Sequence, residues 1–407
     1  MTMLNVQLTS PLTVTTPKGF KATGIHVGLR RKRKDLALLL CEGGAEAAAV
    51  YTTNQVQAAP ITVTKQAMAT SGGKVHAVLV NSGNANACTG QLGLEHAYAS
   101  QHAVAEQFHL APEHVVIAST GIIGQPMAID TLLQGIEQLK PDTEETQAED
   151  FATAILTTDT GTKTAGRQVL LNGEVVSICG VAKGSGMIHP NMATMLGFLT
   201  TDAAIDAGFL QDVLKTAVNR TFNCITVDGD SSTNDMVMIL ASGAAQTEAI
   251  EQGTTEADQF QQAVDQVCQD LAKQIARDGE GATKLIEVKV NGSKDELLGR
   301  KIAKQIVGSS LVKTAIFGED ANWGRIVAAI GSIDEPIDVS QIDIRIGSQT
   351  VLRQSMPVLF DEALASNELA ADVVEIEVNL NQGTKSGHAF GCDLTYDYIK
   401  INASYRT

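Results

Sequence analysis

Extended segments rich in Thr and Val alternate along the chain with segments whose apolar residues recur every three to four positions, the pattern of a mixed α and β protein. The extended pattern predicts strands over 50–64, 75–80, 115–119, 284–290, 310–317, 342–346, 373–380 and 392–401. Helical spacing covers 94–108, 150–156, 208–222 and 256–277, and in the last of these Phe260, Val264, Val267, Leu271 and Ile275 fall on one face. Between 167 and 181 two apolar runs are joined by Asn172-Gly173, a pair suited to a two-residue hairpin turn that needs positive φ at both positions. No internal repeat or long linker interrupts the pattern.

Composition agrees with a folded chain of more than one packed unit: 407 residues, 44% hydrophobic and 19% charged. A net charge of −16 argues against general affinity for nucleic acid phosphates or anionic lipid. The densest basic cluster, Arg30-Arg31-Lys32-Arg33-Lys34, is short and isolated and reads as a solvated loop. No apolar run approaches the roughly 18 residues that span a bilayer, and residues 1–20 lack the charged head and apolar stretch of a signal peptide. Six cysteines stand far apart with no CxxC pair, so a reducing, cytoplasmic location is expected.

One segment is compositionally odd. Lys183-Gly184-Ser185-Gly186-Met187-Ile188-His189-Pro190-Asn191-Met192-Ala193-Thr194 is a glycine-rich loop that leads into the apolar run Met195-Leu196-Gly197-Phe198-Leu199. Neither phosphate-binding glycine spacing is present. Asp228-Gly229-Asp230 with Asp235 has the look of a cation site, but the calcium-loop pattern fails and a turn whose side chains bond local backbone is favoured, so no metal is expected. His189 precedes a proline and reads as a loop-ordering residue, and Trp323, the one tryptophan, as a packed anchor.

This segment resembles the motif around the processed threonine of the ornithine acetyltransferase family, also called glutamate N-acetyltransferase, of arginine biosynthesis. The resemblance extends over nearly the whole chain, through Tyr51-Thr52-Thr53-Asn54, Asn81 to Gly90, Ser119-Thr120-Gly121-Ile122-Ile123-Gly124, Thr226 to Asp235, Asp278 to Lys284, Gly318 to Arg325 and Asn402 to Thr407. It implies an α/β fold with αββα layering in the catalytic part and a smaller C-terminal α/β region.

The resemblance further implies self-cleavage between Ala193 and Thr194 into chains 1–193 and 194–407, with 194–283 completing the catalytic layers and 284–407 forming the smaller region. The two fragments would stay together, two copies of each. A threonine hydroxyl is a poor nucleophile at neutral pH, and the α-amine freed by cleavage, which titrates near ~7.7–8.0, supplies the base it lacks. Thr194 would take the acetyl group of N2-acetylornithine, release ornithine, and pass the group to glutamate in a ping-pong cycle. By the same resemblance Thr120 and Gly121 form the oxyanion hole, and Thr157, Lys183, Thr194, Glu280, Asn402 and Thr407 contact substrate. Lys183 suits an α-carboxylate and Glu280 the ornithine ammonium, but glutamate must use the same cavity despite its opposite side-chain charge, so Glu280 is assigned no single fixed partner. No cofactor is implied. Acetyl-CoA is a co-substrate of the bifunctional members, and composition marks no coenzyme A site. A self-processing aminopeptidase or amidase, which gives the acyl group to water, and a non-catalytic assembly protein keeping the fold are the alternatives.

Overall fold

Both faces of the long second strand are apolar, and that one property sets the architecture of the larger part of the chain. The computed structural model describes residues 11–189 and 195–404, which fall into two compact units. The first comprises 11–184, 195–223 and 231–271; the second comprises Ser185–His189, Cys224–Asp230 and 272–404.

In the first unit the order is β1 (Phe20–Ile25), β2 (Leu36–Tyr51), α1 (Ala59–Ser71), β3 (Lys74–Asn81), α2 (Gly90–Gln107), β4 (Val115–Ser119), α3 (Ile129–Ile136) and α4 (Glu145–Ala154). There follow β5 (Lys163–Leu171), β6 (Glu174–Lys183), β7 (Leu196–Thr201), α5 (Ala207–Arg220), β8 (Met236–Ala241) and α6 (Thr255–Arg277), whose last residues belong to the second unit. The strands form one sheet in the order β4-β3-β2-β8-β7-β6-β5, with β1 also paired to β2. Because successive strand residues point to opposite faces, Leu36, Leu38 and Leu40 pack with α2 and α3, while Ala37, Leu39 and Cys41 pack with Phe151 of α4 and Phe198 of β7. Both faces of the strand are thus buried, within the mixed α/β architecture expected. The face of α6 carrying Phe260, Val264, Val267, Leu271 and Ile275 is fully buried.

In the second unit β9 (Leu285–Ser293), α7 (Glu296–Gly308), α8 (Ser310–Phe317), α9 (Trp323–Gly331), β10 (Asp343–Ile346), β11 (Gln349–Arg353), β12 (Met356–Pro357), α10 (Glu362–Leu369), β13 (Val373–Asn379), β14 (Lys385–Cys392) and α11 (Tyr396–Ala403) follow in order. Its sheet runs β12-β11-β10-β13-β9-β14, and Ile286, Val288 and Val290 of β9 pack against Ile302, Ile306 and Val307 of α7. Trp323 is half-buried against this core.

Three expected strands are helical. Residues 59–64 belong to α1 rather than to a strand reaching Thr64: Pro60 presets the first turn, and Ile61, Val63, Thr64 and Ala67 are buried, with the Thr64 hydroxyl donating to Ile117 O at 2.7 Å. Residues 310–317 form α8, started by the Ser309 hydroxyl, which accepts from Val312 N at 3.4 Å. The final strand stops at Cys392, and α11 begins where the Thr395 hydroxyl accepts from Asp397 N and Tyr398 N. The alternation there was misleading because Tyr396 and Ile399 are exposed. The Asn172-Gly173 hairpin forms as expected, at φ of 50° and 84°. Among the described residues no helix is long and apolar enough to cross a membrane.

Candidate active site

The Thr120-Gly121 turn follows β4 and rests on the asparagine-rich segment after β3. Thr120 N donates to Asn81 O at 3.0 Å, and the Ser119 hydroxyl donates to the Asn81 side-chain oxygen at 2.6 Å. Asn81 Nδ2 in turn holds Asn84 O at 2.9 Å, and Asn84 Oδ1 accepts from Asn86 N at 2.7 Å. Asn234, immediately before β8, donates from its amide to Ala85 O at 2.6 Å and to Ser119 O at 2.9 Å. Gly121 has φ +133°, and a Cβ there would lie 2.3 Å from Gly83 C, so the turn requires glycine. The backbone at this position is fixed from three sides.

Lys183 ends β6 and pairs in register with Leu196 at the start of β7, which pairs in turn with Met236 of β8. Met195 O accepts Met236 N at 3.0 Å, so the chain directly after Thr194 enters the middle of the sheet. Ala193 and Thr194 themselves lie outside the described residues, as does Thr407. Beside Lys183 the Asp159 carboxylate is fully buried. It accepts from Lys163 Nζ at 2.7 Å and Gly184 N at 2.7 Å through Oδ1, and from Thr157 N at 2.9 Å through Oδ2, with Lys183 Nζ 4.0 Å away. Burial opposes its charge, but Lys183, Lys163 and these hydrogen bonds overcome that and hold the carboxyl well below the ordinary carboxylate range. Asp235, by contrast, is buried with Oδ2 unpartnered among the described residues, and burial pushes its carboxyl well above that range.

The basic cluster at 30–34 has a specific structural job rather than being merely solvated. Arg30 donates to Leu156 O at 2.6 Å and Thr157 O at 2.9 Å, and Arg33 donates to Asp159 O at 3.0 Å. The loop that carries these arginines is closed on the buried Asp35, which accepts from Val27 N at 2.7 Å and Arg30 N at 2.8 Å.

The second unit holds the other expected contacts. Glu280 is buried just after α6, with its N–H donating to Ser185 O at 3.0 Å and its carboxylate accepting from Asn402 Nδ2 at 2.7 Å. Gly186 lies against that carboxylate, since a Cβ on it would come within 2.4 Å of Glu280 Cδ. The loop 185–188 is tied by Asp228, whose carboxylate accepts from Met187 N at 2.6 Å and Ile188 N at 2.9 Å. Asp228 Oδ1 also accepts from Asp230 N at 3.3 Å, the local backbone bonding expected of this turn. His189 Nδ1 lies 2.9 Å from the Thr226 hydroxyl, and burial, helped by the Lys304 charge, lowers its pKa to about 4. It is therefore neutral at pH 7.

The structure thus links Thr157 and Lys183 through Asp159, holds the Thr120-Gly121 turn elsewhere in the same first unit, and pairs Glu280 with Asn402 in the second. Sequence reasoning passed over Asp159, read Arg30 only as part of a solvated loop, and took Asn234 only as part of the Thr226 to Asp235 motif. The signal for Asp159 was present: an Asp and a Lys four residues apart in the non-helical run Thr157-Thr158-Asp159-Thr160-Gly161-Thr162-Lys163.

A preorganised backbone turn and a buried lysine at the end of a strand are features with which an enzyme binds and polarises a small molecule. A family model described as the ArgJ family matches residues 21–407, and the chain belongs to that family. It is 55% identical over 395 residues, 97% of this chain and 96% of the other, to the arginine biosynthesis bifunctional protein ArgJ of Halalkalibacterium halodurans. It is 53% identical over 394 residues, 97% of each, to the protein of the same name from Bacillus cereus. A crystal structure of the arginine biosynthesis bifunctional protein ArgJ from Bacillus halodurans matches with a TM-score of 0.51 and 55% identity, covering 52% of this chain and 100% of that one.

Proposed function

We propose that this enzyme transfers the acetyl group of N2-acetylornithine to glutamate through an acetyl-Thr194 intermediate, after cleaving itself between Ala193 and Thr194. The observation that carries the reading is the register at the end of the first sheet: the strand that leaves Thr194 is paired on one side with Lys183 and on the other with β8. A nucleophile directly preceding a strand paired on both sides would have the positioning that acyl transfer demands.

In self-cleavage, Thr194 Oγ attacks the Ala193 carbonyl carbon and the C–N bond breaks, leaving an ester that water hydrolyses. The freed α-amine then accepts the hydroxyl proton when the same Oγ attacks the acetyl carbonyl of the donor. In each half-reaction the Thr120 hydroxyl and Gly121 N–H donate to the oxyanion, and ornithine leaves before glutamate enters. Lys183 takes the α-carboxylate, Thr157, Asn402 and Thr407 complete the substrate contacts, and Glu280 pairs with the ornithine ammonium without being the fixed partner of glutamate, whose side chain carries the opposite charge. Acetyl-CoA is proposed as a second acetyl donor for glutamate, a second activity in keeping with the word bifunctional in the relatives' names. No resident cofactor or metal is proposed. The solved relative, a chain covered completely by 52% of this one, supports two polypeptides, since 194–407 is close to that share of 407 residues.

The test is an assay of purified protein with N2-acetylornithine, with and without glutamate. Acetyl transfer far exceeding release of free acetate is expected. Predominant hydrolysis would make the protein an amidase and overturn the transferase reading.

A further inference from the structure

Asp159 takes no part in the chemistry just set out, yet more of the substrate side of the site converges on it than on any other carboxylate described. It lies at the centre of a turn gripped from both sides. Its Oδ2 accepts Thr157 N at 2.9 Å, while Arg30 takes Thr157 O at 2.9 Å, so both peptide groups flanking the Thr157 side chain are fixed. Its Oδ1 accepts Lys163 Nζ and Gly184 N, each at 2.7 Å, and Gly184 is the residue after Lys183. The Lys183 ammonium lies 4.0 Å from Oδ2, too far for a hydrogen bond and near enough for strong attraction between buried charges. Asp159 therefore draws Lys183 toward Thr157 without binding it directly.

Burying a carboxylate with two ammonium groups is a poor route to stability, because desolvation offsets most of the attraction. Such a group is better understood by what it aims. We propose, resting on the function set out above, that Asp159 is the positioning residue of the substrate α-carboxylate site, holding Thr157 and Lys183 in the arrangement that takes the carboxylate common to N2-acetylornithine and glutamate.

The test compares wild type, Asp159→Asn, Lys183→Met and the double variant, each assayed with N2-acetylornithine and with its α-carboxamide. Asparagine keeps the shape and one acceptor oxygen but removes the charge. Asp159→Asn is expected to raise KM for the acid about tenfold or more, with kcat within about threefold and KM for the carboxamide nearly unchanged. On the Lys183→Met background it should add less than about threefold, because the two residues act as one unit. Equal losses with acid and carboxamide, or fully additive losses in the double variant, would overturn the proposal and leave Asp159 a structural residue. If Asp159→Asn does not accumulate as folded protein, Lys163→Met replaces it. With the nearer ammonium gone, Asp159 pulls Lys183 inward, and KM for the acid should rise while that for the carboxamide stays; an unchanged ratio overturns the proposal. Wild-type protein that transfers no acetyl group from N2-acetylornithine contradicts the proposed function itself, a different outcome from any of these.

Discussion

Replacing Gly121 by alanine places one methyl group where the backbone of a neighbouring turn already sits. The new Cβ would lie 2.3 Å from Gly83 C and 2.6 Å from both Asn84 N and Gly83 O. None of these is the end of a flexible side chain, so one of the two turns must move by about 1 Å to reach ordinary contact. The residue would also sit at φ +133°, a region that costs an L side chain about 1–3 kcal/mol. Overpacking adds a comparable ~1–3 kcal/mol. Ser119 and Thr120 are tied by Asn81 and Asn234, so the displacement falls on the Gly121 N–H, the donor proposed above for the oxyanion. Losing one such donor costs about 10²–10³ in kcat. The assay is kcat for acetyl transfer per folded molecule, with KM for N2-acetylornithine measured alongside and the thermal midpoint as a check on folding. A fall in kcat of about a hundredfold or more with KM within a few-fold is expected. A Gly121→Ala enzyme that folds and keeps kcat within about threefold of wild type would show that this turn does not stabilise the transition state.

Further outcomes follow from the same contacts. Asn234→Ala leaves the buried Ala85 and Ser119 carbonyls without their shared donor and should destabilise the protein by ~1–3 kcal/mol in denaturant titration, with kcat lowered as the Thr120-Gly121 turn loosens. Asp228→Ala frees Met187 N and Ile188 N on the loop leading to the proposed cleavage point; the share of uncleaved chain after expression, read by intact mass, should rise several-fold, and full cleavage would count against that loop's role. His189, with its pKa lowered from 6.5 to about 4, binds a proton more readily unfolded than folded between those values. Stability should therefore be fully present above pH 6.5 and decline as pH falls through about 4, and His189→Asn should flatten that slope in chemical denaturation run across this window.

Much of the fold could be read from the chain because its signals were local. The Asn172-Gly173 hairpin needs two positive φ angles, and the five apolar positions of α6 recur on one face, so short-range chemistry settles both. Ile61-Thr62-Val63-Thr64 misled for the opposite reason. A β-branched run favours strand locally, but burial against the sheet and the Thr64 bond to Ile117 favour helix, and tertiary contacts win. The site divides in the same way. Thr120-Gly121 and Lys183 stand in distinctive motifs, whereas Asp159 joins Lys183 across 24 residues and Asn234 reaches Ser119 across 115, pairings that only the folded chain brings together.

The account depends above all on Thr194 becoming both a new N-terminus and the carrier of the acetyl group. The direct test is the intact mass of purified protein before and after incubation with N2-acetylornithine in the absence of glutamate. The account predicts two chains, 1–193 and 194–407, with the second becoming heavier by one acetyl group that maps to Thr194 and is lost when glutamate is added. A single chain of 407 residues that transfers acetyl groups at full rate, or an active enzyme whose second chain never gains the acetyl group, would contradict it.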